Sequence, residues 1–275
     1  MLIYGSYAMK YWFPHYFREP KDIDVVVYNI EKYDNKFLRN LEEKTGLPVE
    51  VNYAPYFDIF KDNLQESILI PDDILSVRIS HAMYNYNLHK TILDIIFLKK
   101  QGAVFDVDKV NHLRKFWKVR YRNFREQMNM EQSPEVFFNS NVARYIKHDE
   151  LHEKLKLDSI PAFEKILRDP NGETVAVSKN KFESLSYEEQ LSTVLEEVFV
   201  LACERHYKEI KAKDAYLIAL ADFITRMTSG WYNLFILDNI EFFWTFNNPE
   251  IFDKMKEIMD DICSYEAKNY DCHKG

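Results

Sequence analysis

The chain has 275 residues, with 36 Lys and Arg against 44 Asp and Glu, so its formal net charge is −8. This charge excludes a protein that coats nucleic acid with a globally basic surface, although it permits a local basic face. Hydrophobic residues make up 47% of the chain, which argues for a real core and against long-range disorder. The length predicts one large or two modest domains.

The cysteine content and the apolar segments bear on the cellular compartment of the protein. Cys203, Cys263 and Cys272 are few and odd in number, which excludes a disulfide framework and a cysteine-rich zinc module. The first ten residues lack the basic and then apolar regions of a secretory signal. The apolar stretch 231–246 is too short and too charged to span a bilayer. We therefore expect a cytoplasmic protein with no membrane partner.

Strand and helix patterns alternate at the start of the chain. The predicted elements are a strand at 2–4, a helix at 7–13, a strand at 23–28, a helix at 31–45 and a strand at 49–53. Pro14 ends the first helix and Gly46 ends the second, as these residues commonly do. This alternation predicts a small α/β domain with a mixed or parallel sheet.

The remainder of the chain has mainly helical apolar spacing. Predicted helices cover 74–86, 91–100, 109–128, 134–157, 186–210, 212–228 and 249–267, with a turn or minor hairpin at 175–177. The predicted class is therefore α+β, with a mixed-sheet head over residues 1–107 and an all-α domain over residues 108–275.

Five residues of the head form a pattern with chemical meaning. Gly5 and Ser6 stand where a strand becomes a helix, Asp22 and Asp24 share one face of the next strand, and Glu50 lies in the strand after that. Three carboxylates on one face repel unless a cation lies among them, and Mg²⁺ or Mn²⁺ suits such oxygen ligands. The helix start after Gly5 offers N–H donors to a phosphate chain.

This order of residues resembles the polymerase-β-type nucleotidyltransferase superfamily over residues 2–100. The resemblance implies that Gly5 and Ser6 hold a nucleoside triphosphate such as ATP, and that Asp22, Asp24 and Glu50 hold two divalent ions. It also implies an enzyme that transfers a nucleoside monophosphate to an acceptor, either RNA or tRNA or a protein. The nucleotide, the acceptor and the oligomeric state stay open.

The pattern departs from that superfamily in two respects. The spacing from Ser6 to Asp22 is long for compact members, and the third acid is Glu50 where Asp is commoner. Asp94 is a rival third carboxylate, although its surroundings have helical spacing. Arg18 and Lys21 precede the acids and either neutralise phosphates or pair with neighbouring acids in solvent.

A basic and aromatic segment follows the head. Between residues 109 and 125 there are seven Lys or Arg and no acid, interleaved with four aromatic residues. Cations can follow a phosphate backbone while aromatic rings stack on bases, so Arg114, Lys118 and Arg122 are predicted nucleic-acid contacts. The alternative is an amphipathic helix whose aromatic side chains enter the core while its cations face water.

The second half contains another possible site. His148 and His152 share a helix face and can bind one divalent metal, which Glu197 on a later helix could complete. The order His-Asp-x-x-His and then Glu-Glu is similar to the second half of uncharacterised phage-type proteins with a nucleotidyltransferase-like head. The histidine site makes a metal-dependent hydrolase one alternative to nucleotidyl transfer. The other alternative is a catalytically silent nucleotide-binding module with the same fold.

Overall fold

The chain folds into two compact units, Met1–Phe124 and Arg125–Gly275. The computed structural model describes residues 1–84 except 63 and 66, then 88–121, 178–207 and 211–251, with isolated positions 133, 136, 253 and 257. Within these ranges no helix has both the length and the apolar character needed to cross a lipid bilayer.

The first unit begins with alternating strands and helices. In chain order its elements are β1 (Leu2–Tyr4), α1 (Gly5–Trp12), β2 (Ile23–Val27), α2 (Asn35–Thr45), β3 (Val49–Tyr53), β4 (Leu64–Gln65), β5 (Ile68–Leu69), α3 (Pro71–Ala82), α4 (Leu88–Lys100) and α5 (Val107–Arg120). Short 3-10 helices cover Ile30–Lys32 and Pro55–Phe60. Gly46 ends α2 with a φ of 69°, a left-handed conformation that glycine adopts without strain.

The strands form one mixed sheet in the order β3-β2-β1-β5-β4. β1 is antiparallel to β2 and parallel to β5, whereas β2 is parallel to β3. The apolar residues of β2 are buried, and α1 packs against this strand. β3 is an edge strand and exposes 39% of Val51 and 59% of Tyr53. This sheet confirms the mixed α/β head predicted from the sequence.

Three helices complete the first unit after the sheet. Pro71 opens α3, and α3 packs against both α4 and α5. Val110, Leu113 and Trp117 of α5 are buried, and the Trp117 Nε1 donates to Ser80 Oγ at 3.0 Å. The contacts therefore divide the chain after Phe124, whereas the predicted boundary followed residue 107, because α5 packs with the head.

The described part of the second unit is largely helical. Its helices are α6 (Lys179–Glu183), α7 (Tyr187–Tyr207), α8 (Ala212–Thr225), α9 (Gly230–Asp238) and α10 (Ile240–Thr245). α7 packs along α8, and α8 contacts α9. Buried aromatic side chains such as Phe182, Phe199 and Phe223 fill the space between the helices. A mixed-sheet head followed by helices is the predicted α+β class. The predicted elements at 134–157 and 175–177 and most of that at 249–267 lie outside the described residues.

Candidate functional site

Asp24 and Glu50 lie side by side as register partners on the parallel strands β2 and β3. Asp24 is also paired with Tyr4 of β1, and paired residues point to the same face of a sheet. The pKa of Asp24 is raised to about 6, chiefly by burial; a nearby arginine charge opposes this rise, and the carboxylates of Asp22 and Glu50 add to it. Asp22 and Glu50 thus both lie within electrostatic range of Asp24, although Asp22 precedes β2 and so does not share a strand face with Asp24 as predicted.

Gly5 is in close contact with this row of acids. It begins α1 with a φ of +74°, and a Cβ built on it would lie 2.0 Å from Oδ2 of Asp24. No real side chain tolerates such a distance, so the backbone of residue 5 approaches the Asp24 carboxylate as only glycine allows. The start of α1 carries no side-chain cap, and Ser6 is half-buried in its first turn. The positive end of a helix therefore lies at Asp24.

Arg78 of α3 is a cation at this site that the sequence analysis missed. Its side chain is 14% exposed, and its charge opposes the burial that raises the pKa of Asp24. The Nη2 of Arg78 lies 3.2 Å from Oδ2 of Asp94. The local sequence does carry one signal, because an arginine interrupts the apolar residues Val77 and Ile79.

Asp94, the rival third carboxylate, is engaged elsewhere. It is fully buried in α4, where the Tyr16 hydroxyl donates to its Oδ1 at 2.5 Å. The Nη2 of Arg18 donates to both of its carboxylate oxygens at 2.6 Å. With Arg78 as a further partner, Asp94 has no place in the row formed by Asp24 and Glu50.

The two cations predicted to bind phosphates are placed differently from each other. Arg18 lies on Asp94, its Nε donates to the Tyr16 hydroxyl at 2.9 Å, and its guanidinium lies over the ring of Phe17. Lys21 is exposed. The structure therefore ties Arg18 to an internal ion pair and leaves Lys21 at the surface beside Asp22.

Helix α5 contributes aromatic rings and one cation to the same region. The ring of His81 stacks on Trp117 with centroids 4.3 Å apart, and its Nε2 shares a hydrogen bond of 3.1 Å with the Tyr121 hydroxyl. The pKa of His81 is lowered to about 3, first by burial and then by the charges of Arg78 and Arg120. His81 is thus a neutral packing residue at physiological pH.

Arg120 connects α5 to the face of the sheet that carries the acids. Its Nη2 donates to Oδ1 of Asn52 at 3.1 Å, and Asn52 follows Glu50 by two positions on β3. The predicted nucleic-acid contacts are less uniform: Arg114 is half-buried, Lys118 is exposed, and Arg122 lies outside the described residues. The helix matches the amphipathic alternative in that it buries Trp117 and exposes several cations.

A separate cavity of about 550 Å³ lies between the start of α3 and residues 104–109. Asp72, Asp73 and Asp106 line it, together with Lys109, whose Nζ lies 2.6 Å from Oδ1 of Asp73. None of the residues predicted to form a site lines this cavity. Its acids serve the fold, since Asp106 caps α5 and Asp72 accepts from the backbone N–H of Val104.

The possible site of the second unit is described only in part. Glu196 and Glu197 are buried in α7 with 2% and 1% exposure, and Glu197 acts on the charge of the buried Tyr232 hydroxyl. The pKa of Tyr232 is raised far above its usual value; burial is the larger cause, and the charge of Glu197 is the smaller one. His148 and His152 lie outside the described residues.

The acids of the head have the donor chemistry of a magnesium site but are not gathered as a finished one. Within the described residues, no three His, Cys, Asp or Glu side chains are placed to hold a metal ion. Asp24 is fixed against Gly5, whereas Glu50 is exposed and Asp22 half-buried, so these two can change rotamer at small cost. Their carboxylate oxygens are the ligands that Mg²⁺ prefers.

Comparison with protein families gives two matches along the chain. Residues 73–257, which are two thirds of the chain, match the domain of unknown function DUF7275. The chain belongs to the DUF7275 family. Residues 1–108 match a second domain of unknown function, DUF7277. No curated protein and no solved structure matches the chain.

The two matched segments overlap in the helices that complete the head. Gly5, Asp24 and Glu50 lie in the DUF7277 segment alone, whereas Arg120 lies in the DUF7275 segment alone. Arg78 lies in both. The part of the chain that only DUF7275 covers thus supplies Arg120 to the face on which the DUF7277 segment places its acids.

Proposed function

We propose that the first unit is a nucleotidyltransferase that transfers a nucleoside monophosphate from a nucleoside triphosphate to an acceptor and releases pyrophosphate. The observation that carries the proposal is the contact of Gly5 with Asp24, whose register partner on β3 is Glu50. A glycine that opens a helix against one acid, beside a second acid, suits a bound phosphate chain with its cations.

The residues have distinct roles in this reaction. An acceptor hydroxyl oxygen forms a bond to the α-phosphorus and loses its proton to solvent, the bond from that phosphorus to the bridging oxygen breaks, and pyrophosphate leaves. Asp22, Asp24 and Glu50 would hold Mg²⁺ or Mn²⁺, which supplies charge neutralisation for the attacking and leaving oxygens. The backbone at Gly5 and Ser6 would seat the β- and γ-phosphates. Glu50, the most exposed of the three acids, would face the acceptor and orient its hydroxyl.

The acceptor is proposed to be RNA, including tRNA, or a protein. The exposed cations of α5, among them Lys118, lie on the helix whose Arg120 reaches Asn52 beside the acids. A basic helix next to the site suits a polyanionic acceptor, because phosphates are drawn to clustered cations.

The test is pyrophosphate release from each of the four nucleoside triphosphates with Mg²⁺ or Mn²⁺, in the presence of total RNA. Wild type is compared with Asp24→Asn and with Asp58→Asn, which changes an exposed acid in the 3-10 helix Pro55–Phe60. Release by wild type and Asp58→Asn alone is expected, with an α-phosphate label moving to RNA or to protein. Equal release by Asp24→Asn would overturn the proposal. Nucleotide binding with no release would indicate the silent binding module.

A second candidate function rests on the buried acids of α7. Glu196 and Glu197 are almost fully buried, and a carboxylate together with two histidines is a common ligand set for a divalent metal. We propose as the alternative a metal-dependent hydrolase in which His148, His152 and Glu197 bind a second divalent metal. Metal analysis of the purified protein tests it: Glu197→Gln should lose the metal, whereas Glu188→Gln, an exposed acid of the same helix, should retain it.

A further inference from the structure

Arg78 is a largely enclosed cation whose hydrogen-bonding capacity the described residues fill incompletely. Its side chain is 14% exposed, and its one ion pair among the described residues is the contact of 3.2 Å with Asp94. Its Nε is buried and has no hydrogen-bond partner within the described part of the chain. Guanidinium groups are rarely buried without several acceptors, because each unpaired N–H loses its hydration. The site therefore has an excess of donors at Arg78.

The acid that holds Arg78 is already shared. Arg18 donates to both oxygens of Asp94 at 2.6 Å, closer than Arg78. Two guanidinium groups thus lie on one carboxylate, and the second acid within electrostatic reach of Arg78 is Asp24. Without a ligand, the charges of the two arginines and the two acids sum to zero.

This balance changes when a ligand binds. If Asp24 holds a divalent cation, that cation compensates the charge of Asp24. The remaining anionic partner of Arg78 is then Asp94, which also pairs with Arg18. An anion beside Asp24 would restore the balance. The planar fork of arginine matches phosphate oxygens, and the charge-assisted hydrogen bonds are strong.

Position also favours Arg78 over the other cations. Burial raises the pKa of Tyr4 and that of Asp24, and the charge of Arg78 opposes both rises, so Arg78 lies near both residues. These two residues flank the helix start at Gly5. Arg18 is held by Asp94 and the Tyr16 hydroxyl, which makes it a positioning residue. Lys21 is exposed at the surface.

We propose that Arg78, held by Asp94, binds the pyrophosphate portion of the nucleotide opposite the start of α1. This inference rests on the proposed function and deepens it, because it assigns a residue to the leaving group. Arg18 and Asp94 act indirectly, by holding the Arg78 guanidinium within electrostatic reach of Asp24.

The experiment measures the binding of inorganic pyrophosphate to the full chain by calorimetry, in the presence of Mg²⁺. Arg78→Gln is expected to weaken binding about 10- to 100-fold, the range of one or two charge-assisted hydrogen bonds, and Arg78→Lys less. Arg39→Gln, an exposed arginine of α2, should bind like wild type. Unchanged affinity in a folded Arg78→Gln variant would overturn the inference.

A second measurement uses the wild type alone, so it does not depend on the folding of a variant. Pyrophosphate with Mg²⁺ should protect Arg78 from modification by phenylglyoxal, read by mass spectrometry, while Arg39 is modified equally with and without it. Equal modification of Arg78 in both samples contradicts the inference.

The two proposals fail in distinguishable ways. Binding of pyrophosphate through Arg78 without any transfer would support the inference and contradict the transferase. Transfer with unchanged pyrophosphate affinity in Arg78→Gln would support the transferase and overturn the inference. A wild type that binds neither pyrophosphate nor nucleotide would overturn both.

Discussion

The backbone of Gly5 lies against the carboxylate of Asp24, so that a Cβ at residue 5 would be 2.0 Å from Oδ2. We predict that Gly5→Ala destabilises the protein and abolishes pyrophosphate release. Two costs add: the left-handed backbone at a φ of +74°, about 1–2 kcal/mol, and the collision with Asp24. Urea unfolding measures the loss of stability.

Gly46→Ala is the matched control for that prediction. Gly46 has a similar φ of +69°, but a Cβ there would meet nothing within 4 Å. It should therefore show the backbone cost alone and keep its activity. Equal losses of stability in the two variants would mean that the contact with Asp24 contributes nothing.

Asp24→Asn is expected to stabilise the fold while it removes activity. Burial and the neighbouring acids raise the pKa of Asp24 to about 6 from 3.8, so the charged form is disfavoured in the native state. At pH 8 in EDTA, the neutral amide should gain up to about 3 kcal/mol in the free energy of unfolding. Mg²⁺ should then stabilise wild type but not Asp24→Asn, and a variant less stable than wild type would refute this account.

Glu50 and Asp94 can be told apart by comparing stability with activity. Asp94→Asn removes the charge that Arg18 and Arg78 share, which should cost about 3–5 kcal/mol. Glu50→Gln changes an exposed side chain, so its stability should stay within about 0.5 kcal/mol of wild type while pyrophosphate release is lost. If Glu50→Gln retained full activity, Glu50 would not be the third carboxylate.

His81 should make the stability of the protein sensitive to mild acid. Its pKa falls from 6.5 to about 3 on folding, so below pH 6.5 the unfolded chain binds a proton that the native protein does not. Stability is therefore lost as pH falls, by about 2 kcal/mol between pH 7 and pH 5.

The replacement His81→Phe keeps a ring against Trp117 and removes the titrating group. Its unfolding free energy should fall less than that of wild type between pH 7 and pH 5, whatever its absolute stability. His89→Phe, which changes an exposed histidine of α4, should retain the wild-type loss. Parallel curves for His81→Phe and wild type would disprove the assignment.

Local patterns predicted the early elements of the fold well. Strands β1, β2 and β3 lie within a residue of their predicted ends, and Gly46 ends α2 as expected. β4 and β5 were missed because two residues each are too few to show an alternating pattern. The membership of α5 in the head was missed because its contact with α3 joins residues 37 positions apart, such as Ser80 and Trp117.

The site was predictable where it follows chain order. Gly5, Asp24 and Glu50 stand in the order of a familiar motif, but the contact between Gly5 and Asp24 depends on the antiparallel pairing of β1 with β2. Arg78 belongs to no motif. Arg18 has a partner 76 residues away, which no local reading of its neighbours Glu19 and Asp22 could reveal.

The packing of α5 against α3 determines where the chain can be truncated. A chain that stops at residue 108, where the DUF7277 match ends, keeps every described strand but loses most of α5. The fragment would lack three buried side chains, Val110, Leu113 and Trp117. Their loss would expose to water the surface of α3 on which α5 packs. Their burial contributes about 5–9 kcal/mol, which is comparable to the whole stability of a typical domain. A soluble fragment should therefore be cut after Phe124, and the family boundaries are unsafe guides for truncation.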